Sequence, residues 1–206
     1  MTVLIGIMAD SHGQPETIRA ALDRFQGRNC RFIYHLGDVC DSTRPDTAAA
    51  CLEPLHKHRV ITLKGNNDHA IVANQIGREA PPEIASVLKH LRNLPLVAVF
   101  QNAVFTHSLP FDGELGLSCM IGAMGENEAR RSFNEFPQHI IFRGHSHTPE
   151  LLRLRHQRVE SRPLRVGEKF NLNGKLPCVV TCGALTSGLC MVWDPQANLI
   201  ECLSLV

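Results

Sequence analysis

The chain has 206 residues, 44% of them hydrophobic, which suits a single domain over 1–206 with a sizeable core, two small domains being the alternative. Its net charge of +1 gives no global attraction to nucleic acid or to a membrane surface. No apolar run is long enough to span a membrane. The first one, broken at Asp10 and without a basic leader, does not read as a secretory signal.

In chain order, residues 2–8 read as a buried strand of branched side chains that stops at Asp10 and His12. A glycine-bearing loop leads to a helix from about Pro15, with Ile18, Leu22 and Phe25 on one face. Residues 31–36 form a second strand, ending in Gly37-Asp38. Asp46 is placed to cap the next helix, which turns Ala48, Cys51, Leu52 and Leu55 inward and which Pro54 should kink or shorten. A third strand, 59–64, ends in Gly65-Asn66-Asn67-Asp68. This alternation predicts a parallel sheet with right-handed crossovers, whose sites lie at the carboxyl ends of the strands.

Ile84, Val87, Leu88 and Leu91 mark a further helix after Pro81-Pro82. Short strands follow near 96–100 and 103–107, the second ending at His107. Residues 108–124 hold glycine and few charges and read as a long loop or lid. Ala129, Phe133 and Phe136 mark a helix near 126–136, and a strand near 139–143 leads into Gly144-His145-Ser146-His147. From residue 150 the pattern changes to strands at 150–155, 158–160, 165–171, 178–182, 189–194 and 199–205, with a hairpin turn at Asp194-Pro195-Gln196-Ala197-Asn198. This half is expected to supply a second sheet packed on the first.

Five apolar runs therefore end in metal-type ligands, most of them beside a glycine. Two histidines one residue apart on a tight turn can point at two different atoms and so serve two adjacent ions, although such a pair is also a common polar turn. The ligand atoms are carboxylate and amide oxygens and imidazole nitrogens, with no thiolate. That set favours manganese, iron, cobalt, nickel or zinc over calcium, and makes a magnesium-only site less favourable. Two such ions about 3.5–4 Å apart clamp the entering and leaving oxygens of an in-line displacement at phosphorus. One carboxylate has to bridge them, because bare adjacent dications repel, and Asp38 on the central strand end is the natural bridge.

Asp10-x-His12, Gly37-Asp38, Gly65-Asn66-x-Asp68, His107 and Gly144-His145-x-His147 resemble the five ordered motifs of the calcineurin-like metallophosphoesterases. Thr181-Cys182-Gly183-Ala184 is similar to the family's glycine-bearing strand end after the histidine pair. The resemblance implies an α/β fold, a four-layer αββα sandwich of two mixed β-sheets flanked by helices. It implies two divalent ions, manganese first, with metal-bound hydroxide attacking phosphorus. The first ion would be held by Asp10, His12, Asp38 and His147, the second by Asp38, Asn66, His107 and His145.

One position departs from the pattern. The family usually carries histidine directly after the asparagine, where it assists the leaving group, and here that position is Asn67. An amide cannot usefully donate a proton near neutral pH, and loss of a general acid costs about 10²–10⁴ in rate. Small prokaryotic phosphodiesterases of the family show similar replacements. A phosphodiesterase is therefore expected in preference to a monoesterase, with Asn67 orienting a phosphate oxygen. The alternative is a non-catalytic protein-binding scaffold that keeps the fold.

Beside Asn67, Asp68 either orients a ligand or caps its own turn. Arg143 could grip a substrate phosphate bidentately, unless strand alternation turns it away. His35 is expected to be a hydrogen-bonded core histidine, His69 and His139 structural or exposed, and His56, His58, His90 and His156 surface residues. The basic stretch Arg153, Arg155, Arg158, Arg162, Arg165, Lys169 and Lys175 reads as the solvated face of a hairpin more readily than as a nucleic-acid groove. The eight cysteines form no C-x-x-C pair and read as reduced, in a cytoplasmic protein. The expected partner is a phosphate-ester substrate and not a membrane; a homo-oligomer stays open.

Overall fold

A computed structural model describes residues 3–77 and 82–206; Thr2 and Pro81, assigned above to a strand and a helix start, lie outside the described residues. The chain begins with β1 (Leu4–Met8), α1 (Pro15–Gly27), β2 (Cys30–His35), α2 (Ala48–Lys57), β3 (Ile61–Thr62) and α3 (Asn66–Asn74). It continues with α4 (Pro82–Asn93), β4 (Val97–Phe100), β5 (Ala103–Thr106), α5 (Asp112–Leu115), α6 (Glu126–Glu135) and β6 (Ile140–Arg143). Then come β7 (Glu150–Arg155), β8 (Arg158–Pro163), β9 (Lys169–Asn171), β10 (Cys178–Thr181), β11 (Leu189–Asp194) and β12 (Leu199–Ser204).

The strands form two six-stranded mixed sheets, ordered β3-β2-β1-β11-β12-β9 and β4-β5-β6-β10-β7-β8. β1, β2 and β3 are parallel, as the alternation predicts, and so are β5, β6 and β10. The residues beyond 150 do not build a sheet of their own. β9, β11 and β12 widen the first sheet, and β7, β8 and β10 widen the second. β10 and most of β11 are buried, and such continuous apolar runs suit the centre of either sheet.

Four layers follow from where the apolar faces point. Between the sheets, Ile5, Ile7, Phe105, Phe142, Val180 and Trp193 share one core. The Phe142 ring lies 5.3 Å from Phe105 and 5.1 Å from Trp193. Under the helices of the first sheet, Met8 shares a second core with Ile18, Leu22 and Phe25 of α1, Leu52 and Leu55 of α2, and Leu88 and Leu91 of α4. Each large side chain so buried contributes about 1.5–3 kcal/mol. Gly6 is required here, since a Cβ on it would stand 2.6 Å from the Phe25 ring and push α1 off the strand. On the far side, Ala129 and Phe133 of α6 cover Val104, Ile141 and Val179.

Several local expectations change. The strand expected over 59–64 pairs only at Ile61–Thr62, and that over 165–171 only at Lys169–Asn171. α2 runs on past Pro54 to Lys57, because the carbonyl left without its N–H partner belongs to exposed Ala50. Asp46 caps nothing: it lies in a tight turn, Pro45–Thr47, and α2 starts after it without a side-chain cap. α3, directly after Gly65, is an addition that the pattern does not announce. Residues 108–124 are a packed flap, in which α5 and a 3-10 turn bury Leu109, Phe111, Cys119 and Met120 together. The Asp194 turn forms as expected, with its Oδ1 accepting from the Gln196 and Ala197 amides at 2.9 and 3.0 Å. Among the described residues, no helix is long and apolar enough to cross a membrane.

Candidate metal centre

The loops leaving β1, β2, β6 and β10 meet at one edge of the sandwich and hold each other by backbone bonds. Asp10 N donates to Gly37 O at 3.1 Å, His12 N to Asp38 O at 3.0 Å, Gly144 N to His107 O at 3.1 Å, and Leu185 N to Ala9 O at 2.9 Å. Within this lattice five non-glycine residues take left-handed backbone: Asp10 (φ 57°), His12 (44°), Asp38 (54°), His145 (68°) and His147 (62°). All five are candidate ligands. Such conformations are costly for residues with a Cβ, by about 1–3 kcal/mol, and persist where the surroundings over-determine them.

Glycine makes the convergence feasible at two points. A Cβ on Gly65 would lie 2.1 Å from both the amide nitrogen and Oδ1 of Asp38. One on Gly144 would lie 2.8 Å from Asp10 Oδ2.

The side chains form two groups that share one atom. In the first, His12 Nε2 is 3.1 Å from His147 Nε2 and 3.8 Å from Asp38 Oδ2, and His147 Nε2 is 3.7 Å from Asp10 Oδ1. In the second, His107 Nε2 is 3.1 Å from Asn66 Oδ1, 3.1 Å from His145 Nδ1 and 3.6 Å from Asp38 Oδ2. Asp38 Oδ2 is the atom common to both. His107 Nδ1 donates to Leu36 O at 2.9 Å, which leaves its Nε2 lone pair facing the centre.

The electrostatics ask for positive charge. Asp10 Oδ1 is buried without a hydrogen-bond partner, although Oδ2 accepts from the His145 amide at 3.0 Å. Burial, and then the neighbouring Asp38 carboxylate, push the Asp10 carboxyl up to about 8. Burial holds His107, His145 and His147 below the usual imidazole value, so the rings stay neutral and able to ligate. An orphaned carboxylate oxygen and facing imidazole nitrogens, in a mixed nitrogen–oxygen set, fit a pair of divalent cations.

The domain model of the calcineurin-like phosphoesterase superfamily matches residues 3–169. The chain belongs to this superfamily. Solved structures agree on the fold. A metallophosphoesterase from Sphaerobacter thermophilus superposes with a TM-score of 0.75 at 19% identity, over 99% of this chain and 88% of the other. The hypothetical protein PH1004 from Pyrococcus horikoshii gives 0.65 at 12% identity, over 98% and 87%. A structure described as a novel archaeal phosphodiesterase gives 0.54 at 14% identity, over 98% and 99%. A search of curated proteins finds no match.

Around the ligand groups, this phosphoesterase uses its other polar residues for support. Asp68 is buried and accepts from the amides of Asp38 (2.9 Å), Cys40 (3.0 Å) and Gly65 (2.9 Å), so it organises the turn that presents Asp38. Burial, with Asp38 nearby, pushes its carboxyl up to about 7. Asn67 holds Asp38 twice: its backbone N–H donates to Oδ1 and its Nδ2 to Oδ2, both at 2.8 Å. His35 is a core histidine with both nitrogens engaged, Nε2 with Ser11 Oγ at 3.1 Å and Nδ1 with the Gly37 amide at 3.3 Å.

Arg143 is buried, and its guanidinium points into protein. It donates to Ser108 O and Ser108 Oγ, each at 3.1 Å, and reaches Thr181 Oγ1 at 3.4 Å and Ser146 Oγ at 3.5 Å. Two supports were not legible in the sequence: Ser108, behind Arg143, and Ser42, which meets Asn67. A lone serine in a loop carries no pattern by which to find it.

The basic stretch beyond 150 lies mainly along the β7–β8 hairpin, with carboxylates beside it. Arg153 pairs with Glu160 at 3.2 Å, Arg162 with Glu168, and Lys169 with Glu201 at 4.0 Å. All eight cysteines are free thiols.

Proposed function

We propose that this metal-dependent phosphoesterase is a phosphodiesterase that works with two divalent ions, manganese for preference. The observation that carries the reading is the pair of donor groups meeting at Asp38 Oδ2. Asp10, His12, Asp38 and His147 would hold one ion, and Asp38, Asn66, His107 and His145 the other. Bound there, the ions supply Lewis-acid polarisation of the phosphoryl group and a means of activating water.

The chain's own residues define the rest. Asn67 spends one Nδ2 hydrogen on Asp38 and keeps the second to offer a phosphoryl oxygen. It supplies no proton, so the reaction favours leaving groups that depart as weakly basic anions. Arg143 is committed to Ser108, Thr181 and Ser146, so its guanidinium is not free to neutralise the additional charge of a monoester. Both points favour a diester. The archaeal phosphodiesterase of like fold agrees with this reading. A cytoplasmic location is part of the proposal, supported by the unpaired thiols.

The test is hydrolysis of bis-p-nitrophenyl phosphate beside p-nitrophenyl phosphate, with manganese and with a chelator control. Chelator-sensitive turnover favouring the diester is expected. Faster monoester turnover would overturn the diesterase assignment. Absence of turnover on both, in protein shown to be folded, would favour a binding scaffold.

A further inference from the structure

We propose that Ser42 is a positioning residue that locks the Asn67 carboxamide in one of its two orientations. This rests on the reading of Asn67 given above. Asn67 Oδ1 accepts from Ser42 Oγ at 2.9 Å and from the Ser42 backbone amide at 3.4 Å. The opposite edge of the same amide donates from Nδ2 to Asp38 Oδ2 at 2.8 Å.

A carboxamide can be turned by 180° with little change of shape, and its two edges are told apart only by their partners. Here both partners vote the same way. Turning the amide would press Oδ1 against a carboxylate oxygen and Nδ2 against the Ser42 N–H, replacing two attractions by two repulsions. The Ser42 hydroxyl supplies the shorter of the two bonds to Oδ1. The Ser42 N–H, which can only donate, and the Asp38 carboxylate, which can only accept, select the orientation in which an N–H edge faces Asp38 and any phosphoryl group beside it, and the Ser42 hydroxyl holds the amide in that orientation. An acceptor in that place would repel the phosphate oxygens.

Ser42 sits where it can do this because the segment after Asp38 is built around its own contacts. The Asp38 and Cys40 amides are fixed by Asp68, and Asp41 Oδ1 accepts from both the Thr43 amide (2.8 Å) and the Thr43 hydroxyl (2.7 Å). Ser42 lies between these anchored residues, half-buried, and its hydroxyl is directed at Asn67.

The experiment compares Ser42→Ala and Ser42→Thr with the parent protein in two ways. In chelator-treated, metal-free protein, the Asn67 side-chain amide resonances are followed by nitrogen–proton NMR, assigned by their loss in Asn67→Ala. Ser42→Ala is expected to move both resonances and speed their solvent exchange, and Ser42→Thr to restore them. In manganese-loaded protein, Ser42→Ala should raise KM for the diester about 3–10-fold with kcat changed less, the worth of one hydrogen bond. Ser42→Thr should recover most of that loss, and Ser42→Ala should add nothing in the Asn67→Ala background. Unmoved Asn67 resonances, or an undiminished effect of Ser42→Ala when Asn67 is already alanine, would overturn the proposal. If the parent hydrolyses no ester, the phosphodiesterase reading fails, and the resonances still decide the role of Ser42.

Discussion

Asn67 stands where the resemblance to the family leads one to expect a histidine that assists the leaving group. Asn67→His is therefore expected to raise turnover of diesters with alkyl leaving groups, by up to about 10²-fold, with less effect on nitrophenyl esters. The check is the dependence of rate on leaving-group basicity, which should flatten in the variant. Lower rates on every substrate would show that the two bonds from Asn67 to Asp38 matter more than the missing proton. Arg143 makes a different point. Its bonds to Ser108, Thr181 and Ser146 tie β6 to the end of β10 and to two loops, so Arg143→Ala should lower the unfolding free energy by about 2–3 kcal/mol while KM for the diester stays put. Urea titration and steady-state kinetics on the same preparation measure both.

The strand-end turns give their information unevenly. The candidate ligands were legible because they follow apolar runs, most of them beside a glycine, and the backbone shows why: five of them take left-handed conformations in turns that press against one another. Gly65 is the tightest of these contacts. Gly65→Ala should cost at least about tenfold in manganese affinity, measured by titration calorimetry, with the far-ultraviolet circular dichroism retained. Retained affinity would mean that the Asp38 turn can yield. Other elements were hidden for physical reasons. α3 buries only Asp68, Ile71 and Val72, too few to show a helical period beside a motif rich in asparagine. β10 is buried at every position and β11 at most, and a strand wet on neither face does not say which sheet it joins. Ser42 and Ser108 act through single hydroxyls that only the folded chain brings to their partners.

In the whole molecule, the buried carboxyls are expected to link metal binding to pH. Asp10 and Asp68 keep their protons in the folded, metal-free chain up to about 8 and about 7, and in the unfolded chain release them near 3.8. Between those limits the folded state binds more protons, so its stability falls as pH rises. Buried His35, held down at about 3, works in the opposite sense, but only below its ordinary value of 6.5. Above that value the carboxyls act without it. Chelator-treated protein should lose stability from pH ~6 to pH ~8. Manganese, which binds the deprotonated ligands, should raise Tm by more at the upper end. At an ion concentration 100 times Kd the gain is about 2.7 kcal/mol, or about 5–10 °C for a chain of this size. Thermal unfolding with and without chelator across that range tests it; a gap that shrinks with rising pH would rule out these carboxyls as the linkage.

The sheet order has a consequence for biogenesis. β1, which delivers Asp10 and His12, is flanked by β2 on one side and β11 on the other, and β6, which delivers the histidine pair, by β5 and β10. The last candidate ligand, His147, is synthesised before β10 (Cys178–Thr181) and β11 (Leu189–Asp194). Until those strands are made, β1 and β6 each lack a neighbour, and Leu185, whose amide fixes Ala9, has not been made. The candidate centre is therefore completed only when β10 and β11 have joined their sheets, not when its ligand residues have been made.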